Sequence, residues 1–145
     1  MSGIRGVALP ALAALVLALA WFAALVLGAT PAVAEEAPSA EAAIRARIVY
    51  LAALHDVAWF EVSGTELHIG FRGPAIDNIA ILNGAVGMAL AVTGAEVEIR
   101  GYGYDASRWP YRARAAGAEC IAVGKFRVEE TRCLVEGAWV SFDPS

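Results

Sequence analysis

Residues 1–34 constrain this chain more than any other segment, because they determine the compartment in which the rest of it must fold. Arg5 precedes an apolar run of 21 residues from Val7 to Leu27, and the tripeptide Ala32-Val33-Ala34 follows. A positive residue, an apolar core and an A-x-A site, in that order, are typical of a secretory signal peptide. We therefore predict export and cleavage after Ala34.

The same apolar run is long enough to cross a bilayer as an uncleaved anchor helix. The acidic stretch 35–39, which follows the A-x-A site directly, favours cleavage instead, since polarity changes abruptly there. Both interpretations leave Arg5 on the cytoplasmic side and the rest of the chain outside the cytoplasm. We expect an extracytoplasmic protein, periplasmic or secreted, which is tethered to the inner membrane if the leader is retained.

The remaining chain has the size and charge of one small domain. Residues 35–145 number 111 and hold all 15 acidic residues but 10 of the 11 basic ones, a formal charge of −5. This length supports a single core, which we place at 40–145 after a linker at 35–39. A general nucleic-acid binder is normally basic, so we expect no nucleic acid among its partners. Contact with the membrane is expected only through an uncleaved leader.

Cys120 and Cys133 both follow the leader. An even pair of cysteines in an oxidising compartment predicts a disulfide bond. His55 and His68 are the only histidines and have no metal-site spacing to the cysteines, and the C-x-x-C and C-x-x-C-H motifs are absent. We therefore expect neither a metal nor a cofactor.

The disulfide restricts the hairpin that would carry it. A tight turn at Gly124-Lys125 would pair Cys120 with Glu129, four residues short of Cys133. That offset is roughly 13 Å at strand rise, beyond the reach of a disulfide. Either residues 124–129 form a wider loop, or the two strands pair in another register.

Two segments have helical signals. Ser39 is a suitable N-cap for a helix from Ala40 to about Leu54, which has apolar residues at helical spacing. Asp77 is a suitable N-cap for an apolar helix over 78–93, with Gly94 beyond its end. We interpret the second segment as the central helix of the core.

Alternating patterns predict six strands. They lie at Val57–Val62, Glu66–Phe71, Glu96–Tyr102, Glu119–Val123, Arg127–Val135 and Ala138–Phe142. With the helices, they predict an α+β fold: two helices packed on a largely antiparallel sheet of five to six strands, after the leader helix. The order helix–strand–strand–helix–strand resembles that of small periplasmic domains of the BON type. The resemblance lies in element order alone, leaves the last 40 residues outside it and implies nothing about function.

The first two strands are separated by Ser63-Gly64-Thr65, a hairpin signal. A turn at Ser63-Gly64 would pair Phe60 with Leu67 and Ala58 with Ile69 on the core face. Trp59 would then lie opposite His68 on the other face. Such a pair is either a platform for a ligand or a surface that another element covers.

The segment 101–114, with the sequence GYGYDASRWPYRAR, is unusual in an acidic domain. Tyrosine, tryptophan and arginine dominate interface hot spots, and they also suit anionic headgroups and sugar rings. We expect a partner, either a protein or an anionic envelope component, to bind here. The candidate binding residues are Tyr102, Tyr104, Arg108, Trp109, Tyr111, Arg112 and Arg114. The alternative is a structural loop that packs its own aromatic residues, with the arginines paired to acids such as Glu96 or Glu98.

Catalytic motifs are absent, which favours a protein that is not an enzyme. His55 and Asp56 are adjacent, but no motif places a nucleophile near them. The sequence thus favours a non-enzymatic envelope protein that binds a partner macromolecule through 102–114. The alternatives are a membrane-anchored accessory subunit of an envelope complex and a small hydrolase that uses His55 or His68. The oligomeric state is not determined by the sequence.

Overall fold

The computed structural model describes residues 36–94, 96–112 and 115–144. The leader, the cleavage site at Ala34 and the candidate residue Arg114 lie outside them. From Pro38 onward the chain forms one compact unit with two α-helices, α1 (Ala40–Leu54) and α2 (Ile79–Thr93). The strands are β1 (Val57–Ser63), β2 (Glu66–Phe71), β3 (Ile99–Asp105), β4 (Cys120–Gly124), β5 (Val128–Val135) and β6 (Ala138–Phe142). Short 3₁₀ turns lie at Ala75–Asn78 and Ala115–Gly117.

The six strands form one sheet in chain order, from β1 to β6. Neighbouring strands are antiparallel except β2 and β3, which are parallel because α2 connects them. The predicted α+β class, with two helices on a largely antiparallel sheet, is confirmed. The order predicted for the first five elements is also present, and β4 to β6 extend the sheet beyond it.

Both helices pack on the same face of the sheet and enclose the core. Ile44, Ile48 and Leu51 of α1 are buried there, as the helical spacing predicts. In α2, Leu82, Val86 and Leu90 are buried above the sheet. The opposite face carries a second, smaller cluster, built around Tyr102 and Tyr104.

The ends of the helices show why they begin and stop where they do. The Ser39 hydroxyl accepts a hydrogen bond of 3.2 Å from the Ala42 N–H, so it caps α1 as predicted. Asn78, rather than the predicted Asp77, is the N-cap of α2, because a 3₁₀ turn precedes the helix and takes up Asp77. Gly94 ends α2 in the left-handed conformation that glycine adopts without strain.

One described segment, Ala75–Thr93, is long and apolar enough to span a membrane by length and composition, with a mean hydropathy of 1.6. In this fold the segment consists of the 3₁₀ turn and α2, which packs on β3, β4 and β5. It is the helix that the sequence predicts to be central to the core.

In the β1–β2 hairpin the turn lies one residue later than predicted, so the pairing of the two strands shifts by two residues. The turn lies at Gly64-Thr65, so Ser63 pairs with Glu66 and Phe60 with Ile69. Gly64 has a φ of 59°, which suits the first central position of a tight hairpin turn. The predicted pair of Ala58 with Ile69 is therefore absent, and a bulge between Val57 and Trp59 interrupts the pairing at Ala58. The predicted core residues Phe60, Leu67 and Ile69 nevertheless lie on the helix side, whereas Ala58 is exposed.

Cys120 and Cys133 form the predicted disulfide, and they lie directly opposite each other on β4 and β5. The tight turn at Gly124-Lys125 is absent, and the strands pair in another register: residues 125–127 form the turn, Gly124 pairs with Val128, and a shift between Val123 and Gly124 brings Cys120 opposite Cys133. Both cysteines are fully buried in the core. Closing a chain separation of 13 residues is worth about 3 kcal/mol in the chain-entropy model.

Candidate binding surface

The alternation Gly101-Tyr102-Gly103-Tyr104 gives β3 two different faces. Residues two apart in a strand share a face, so both glycines lie under α2 and both tyrosines lie on the opposite side. A Cβ atom added to Gly101 would be 2.6 Å from Val86 Cγ2, and one added to Gly103 would be 3.2 Å from the Cβ of Ala75. The glycines therefore let the helix layer approach β3 closely, while the tyrosines build the other face.

Four rings on that opposite face form a cluster that we call the aromatic base: Trp59, His68, Tyr102 and Tyr104. The His68 ring stacks against Tyr102 at 4.8 Å between centroids and against Tyr104 at 5.8 Å. Trp59 packs on Tyr104 at 5.4 Å between ring centroids, and its indole lies over Gly70, where an added Cβ would collide with Nε1. The base is therefore a closely packed layer in which Tyr104 is fully buried.

Residues 106–112, which we call the aromatic loop, leave β3 through a tight turn. The Asp105 carboxylate accepts hydrogen bonds from the Ser107 hydroxyl at 2.6 Å and from the Ser107 N–H at 2.9 Å. Those two bonds lower the pKa of Asp105. The backbone N–H of Trp109 donates to the Asp105 carbonyl at 2.9 Å. The beginning of the loop thus has a defined conformation.

The rest of the aromatic loop is attached to distant parts of the sheet. The Trp59 indole N–H donates to the backbone carbonyl of Trp109 at 2.8 Å. Arg112 forms an ion pair of 2.6 Å with Glu61 and one of 3.8 Å with Glu66. The loop is therefore held through the backbone carbonyl of Trp109 and through the side chain of Arg112.

The attachment leaves two aromatic side chains exposed, that of Tyr111 largely and that of Trp109 in part. The side chains of Trp109 and Tyr111 are 41% and 76% exposed. Arg108 is largely exposed too, although it pairs with Glu119 at 3.0 Å. A constrained loop that presents exposed aromatic rings has the composition of an interface hot spot and loses little conformational freedom on binding.

The structure separates six of the seven candidate binding residues into groups, and the seventh, Arg114, lies outside the described residues. Tyr102 and Tyr104 lie beneath the loop and are buried, so they support it from below. Arg108, Trp109 and Tyr111 lie at its surface. Arg112 joins the loop to β1 and β2 through acids other than the Glu96 and Glu98 that the structural alternative suggested.

The side chains that hold the aromatic loop were not identified from the sequence. The sequence assigned no role to Glu61 and Glu66, and Trp59 was expected to lie opposite His68. His68 instead lies opposite Glu61 on β1 and Tyr102 on β3, because the pairing of β1 with β2 is shifted by two residues from the predicted one. One sequence signal indicated the aromatic base. The alternation of glycine and tyrosine at 101–104 is typical of a strand with two different faces, whereas we had assigned it to a loop.

His68 is the titratable group at the centre of this face, and it is 2% exposed. Its Nδ1 shares a hydrogen bond of 2.7 Å with the Tyr104 hydroxyl, and Nε2 lies 3.4 Å from Glu66. Burial lowers the pKa of His68, and the charge of Arg112 lowers it further, while Glu66 and Glu61 oppose the shift. The imidazole is therefore kept neutral at neutral pH.

This shift makes folding stability depend on pH. Below the ordinary histidine pKa of about 6.5 the unfolded chain takes up a proton that folded His68 resists. Stability is therefore complete above that pH and falls as the pH drops toward the lowered pKa of His68. Urea unfolding between pH 7.5 and 4.5 should show a smaller loss for His68→Gln than for the wild type. Equal losses in the two proteins would contradict the role of His68.

The other histidine has a different setting. His55 follows α1, where its side chain is exposed and its backbone N–H donates to the Leu51 carbonyl. Within the described ranges, no three His, Cys, Asp or Glu residues form a group suited to a metal ion.

Comparison with protein-family models, with curated proteins and with solved structures finds no match for this chain, so its function is argued from its own residues.

Proposed function

We propose that this chain is an exported, non-enzymatic envelope protein that binds a partner macromolecule through the aromatic loop. The observation that carries the proposal is the exposure of Trp109 and Tyr111 on a loop that the sheet holds from below. Aromatic residues that are exposed and already constrained contribute binding area at a low entropic cost. A loop serving only to cover the sheet would direct these rings inward.

The charges on the loop favour a protein partner over an anionic lipid or polysaccharide. Arg108 is paired with Glu119, and Arg112 with Glu61. These carboxylates offset most of the positive charge that a polyanion would require. Aromatic residues beside partly neutralised arginines suit a protein surface of mixed polarity.

Export is supported by two independent features. The sequence begins with a positive residue, an apolar run and an A-x-A site. The buried Cys120–Cys133 disulfide is compatible with an oxidising, extracytoplasmic compartment. Cleavage after Ala34 and a retained leader are both consistent with the fold of the domain, so an anchored accessory subunit is the second candidate.

The hydrolase alternative is less well supported by the geometry. The ring nitrogens of His68 are engaged by Tyr104 and Glu66 under the aromatic loop, and its lowered pKa accompanies nearly complete burial. A general base needs a path to the proton that it removes. These features favour a structural role for His68 in supporting the loop.

Photo-crosslinking in cells tests the binding proposal. Tyr111 is replaced by a photoreactive phenylalanine analogue, and Phe126, which is 74% exposed on a different turn, is replaced in a matched control. Irradiation should give a discrete protein adduct from position 111 and none from position 126. Adducts with lipid or polysaccharide instead of protein would identify the partner as an anionic envelope component. The absence of any specific adduct at 111 would contradict the proposal.

A further inference from the structure

The two edge strands of the sheet, β1 and β6, differ in how far they are protected from pairing with another chain. At β1, a bulge interrupts the strand and the Arg45 side chain donates to the Val62 carbonyl at 3.2 Å. Bulges and charged side chains are devices that prevent an edge strand from pairing with another chain. At the opposite edge, β6 (Ala138-Trp139-Val140-Ser141-Phe142) contains no charged residue and no proline, and its pairing with β5 has no bulge.

The backbone of β6 offers hydrogen-bonding groups at this edge. The Leu134 N–H donates to the Glu119 carbonyl at 2.7 Å, so the polar backbone groups of Leu134 point toward β4. Trp139 lies opposite Leu134, and in an antiparallel pair its N–H and C=O then point away from β5. The same holds for Ser141, two residues further along. The edge therefore presents the N–H and C=O groups of Trp139 and Ser141.

The side chains of β6 are also incompletely covered. Trp139, on the side of the aromatic base, is 45% exposed, and Val140, on the helix side, is 42% exposed. The helix α2 packs on β3, β4 and β5, whereas both faces of β6 reach solvent. A further strand beside β6 would bury apolar area on each face and satisfy the outward backbone groups.

We propose that β6 pairs antiparallel with β6 of a second copy of this chain, about a two-fold axis at Val140. This register places Val140 opposite Val140, Trp139 opposite Ser141, and Ala138 opposite Phe142, so each larger side chain meets a smaller one. Trp139 and Ser141 then form the hydrogen-bonded pairs, which matches their outward N–H and C=O groups. The two sheets join into one sheet of twelve strands.

The charges that flank β6 are compatible with this pairing. Glu136 and Asp143 border the strand. In the two-fold register Glu136 lies opposite Pro144 of the second copy and Asp143 opposite Gly137, so no acidic residue faces another. Moving the two-fold axis by one residue along β6 would create a conflict. An axis at Trp139 would place Trp139 opposite Trp139, and an axis at Ser141 would place Trp139 opposite Asp143. The register centred on Val140 is thus the one that uses all five residues without a conflict.

The test compares Ser141→Pro with Ser141→Ala in protein purified from the envelope of expressing cells. Proline removes the N–H that points outward, and edge strands tolerate it because that N–H does not bond to β5. Sedimentation equilibrium should show a dimer that dissociates on dilution, and Ser141→Pro should weaken it roughly tenfold or more, since each copy loses one interchain hydrogen bond. Ser141→Ala should dimerise like the wild type.

A cysteine at the two-fold axis tests the register without relying on proline. Val140→Cys should form an interchain disulfide on mild oxidation, because directly opposed residues of a non-hydrogen-bonded pair have Cα atoms about 4.5 Å apart. Trp139→Cys should not, since it faces Ser141. A wild-type protein that stays monomeric at all concentrations would overturn the proposal. So would a Val140→Cys variant that crosslinks to a different envelope protein or to nothing.

Discussion

Replacing Gly101 with valine should lower the free energy of unfolding by about 3 kcal/mol, at the upper end of the usual cost of overpacking a core. The new Cβ would lie 2.6 Å from Val86 Cγ2 and 3.1 Å from Leu82 Cδ1. Both residues belong to α2 and are fully buried, so neither side chain can turn away into solvent. The helix would have to move off the sheet, and the melting temperature should fall by roughly 10–20 °C.

Gly87 in α2 provides a matched control. A Cβ added to Gly87 meets no atom within 4 Å, and alanine favours the helical conformation over glycine by roughly 1 kcal/mol. Gly87→Ala should therefore melt at the wild-type temperature or above it. If Gly101→Val melted at the same temperature as Gly87→Ala, the close approach of α2 to β3 would be contradicted.

Truncating Trp109 to alanine should weaken partner binding by roughly 30-fold, the effect of losing about 2 kcal/mol at an interface hot spot. The side chain is partly exposed, and the loop is held through the Trp109 backbone carbonyl, which alanine retains. The hydrogen bond from Trp59 should therefore persist and the loop keep its conformation. Thermal stability should change little, because the hydrogen bond that attaches the loop at this residue uses the backbone carbonyl and is retained.

Hydrophobic periodicity was enough to predict the helices and most strands. The predicted bounds of α1, β2 and β6 agree with the structure, because apolar spacing, caps and turn residues all favour the same ends. The strand predicted at 96–102 begins instead at Ile99 and continues to Asp105. The alternation of Val97 and Ile99 was read as the strand, while the Gly-Tyr repeat after it continues the same period with residues less typical of strands.

Turn chemistry was the weaker guide where two adjacent positions were plausible. Glu136 and Gly137 both have positive φ, as a two-residue hairpin turn of this kind requires, and they occupy the two positions between the strands predicted at Arg127–Val135 and Ala138–Phe142. In the first hairpin, Gly64 fits either the first or the second central position of the turn, and the choice shifts the strand pairing by two residues. The sequence alone does not distinguish these positions.

The composition of the aromatic loop was visible in the sequence, but its support was not. Trp59 and Trp109 are 50 residues apart, and Glu61 and Arg112 are 51 residues apart. Contacts at such separations follow from the strand order β1-β2-β3, in which a parallel pair brings His68 beside Tyr102. Local patterns carry no information about that order, so the buried and exposed members of 102–112 could not be separated in advance.

The most direct measurement is capture of envelope proteins by the wild type, Trp109→Ala and Phe126→Ala, with a melting curve of each variant recorded beside it. Phe126 is an exposed aromatic residue outside the aromatic loop, so its variant controls for nonspecific hydrophobic adsorption. The account predicts that Trp109→Ala alone loses the captured partner and that all three proteins melt within a few degrees of one another. Retained capture together with a strongly lowered melting temperature for Trp109→Ala would show that the loop belongs to the core and would contradict the proposed function.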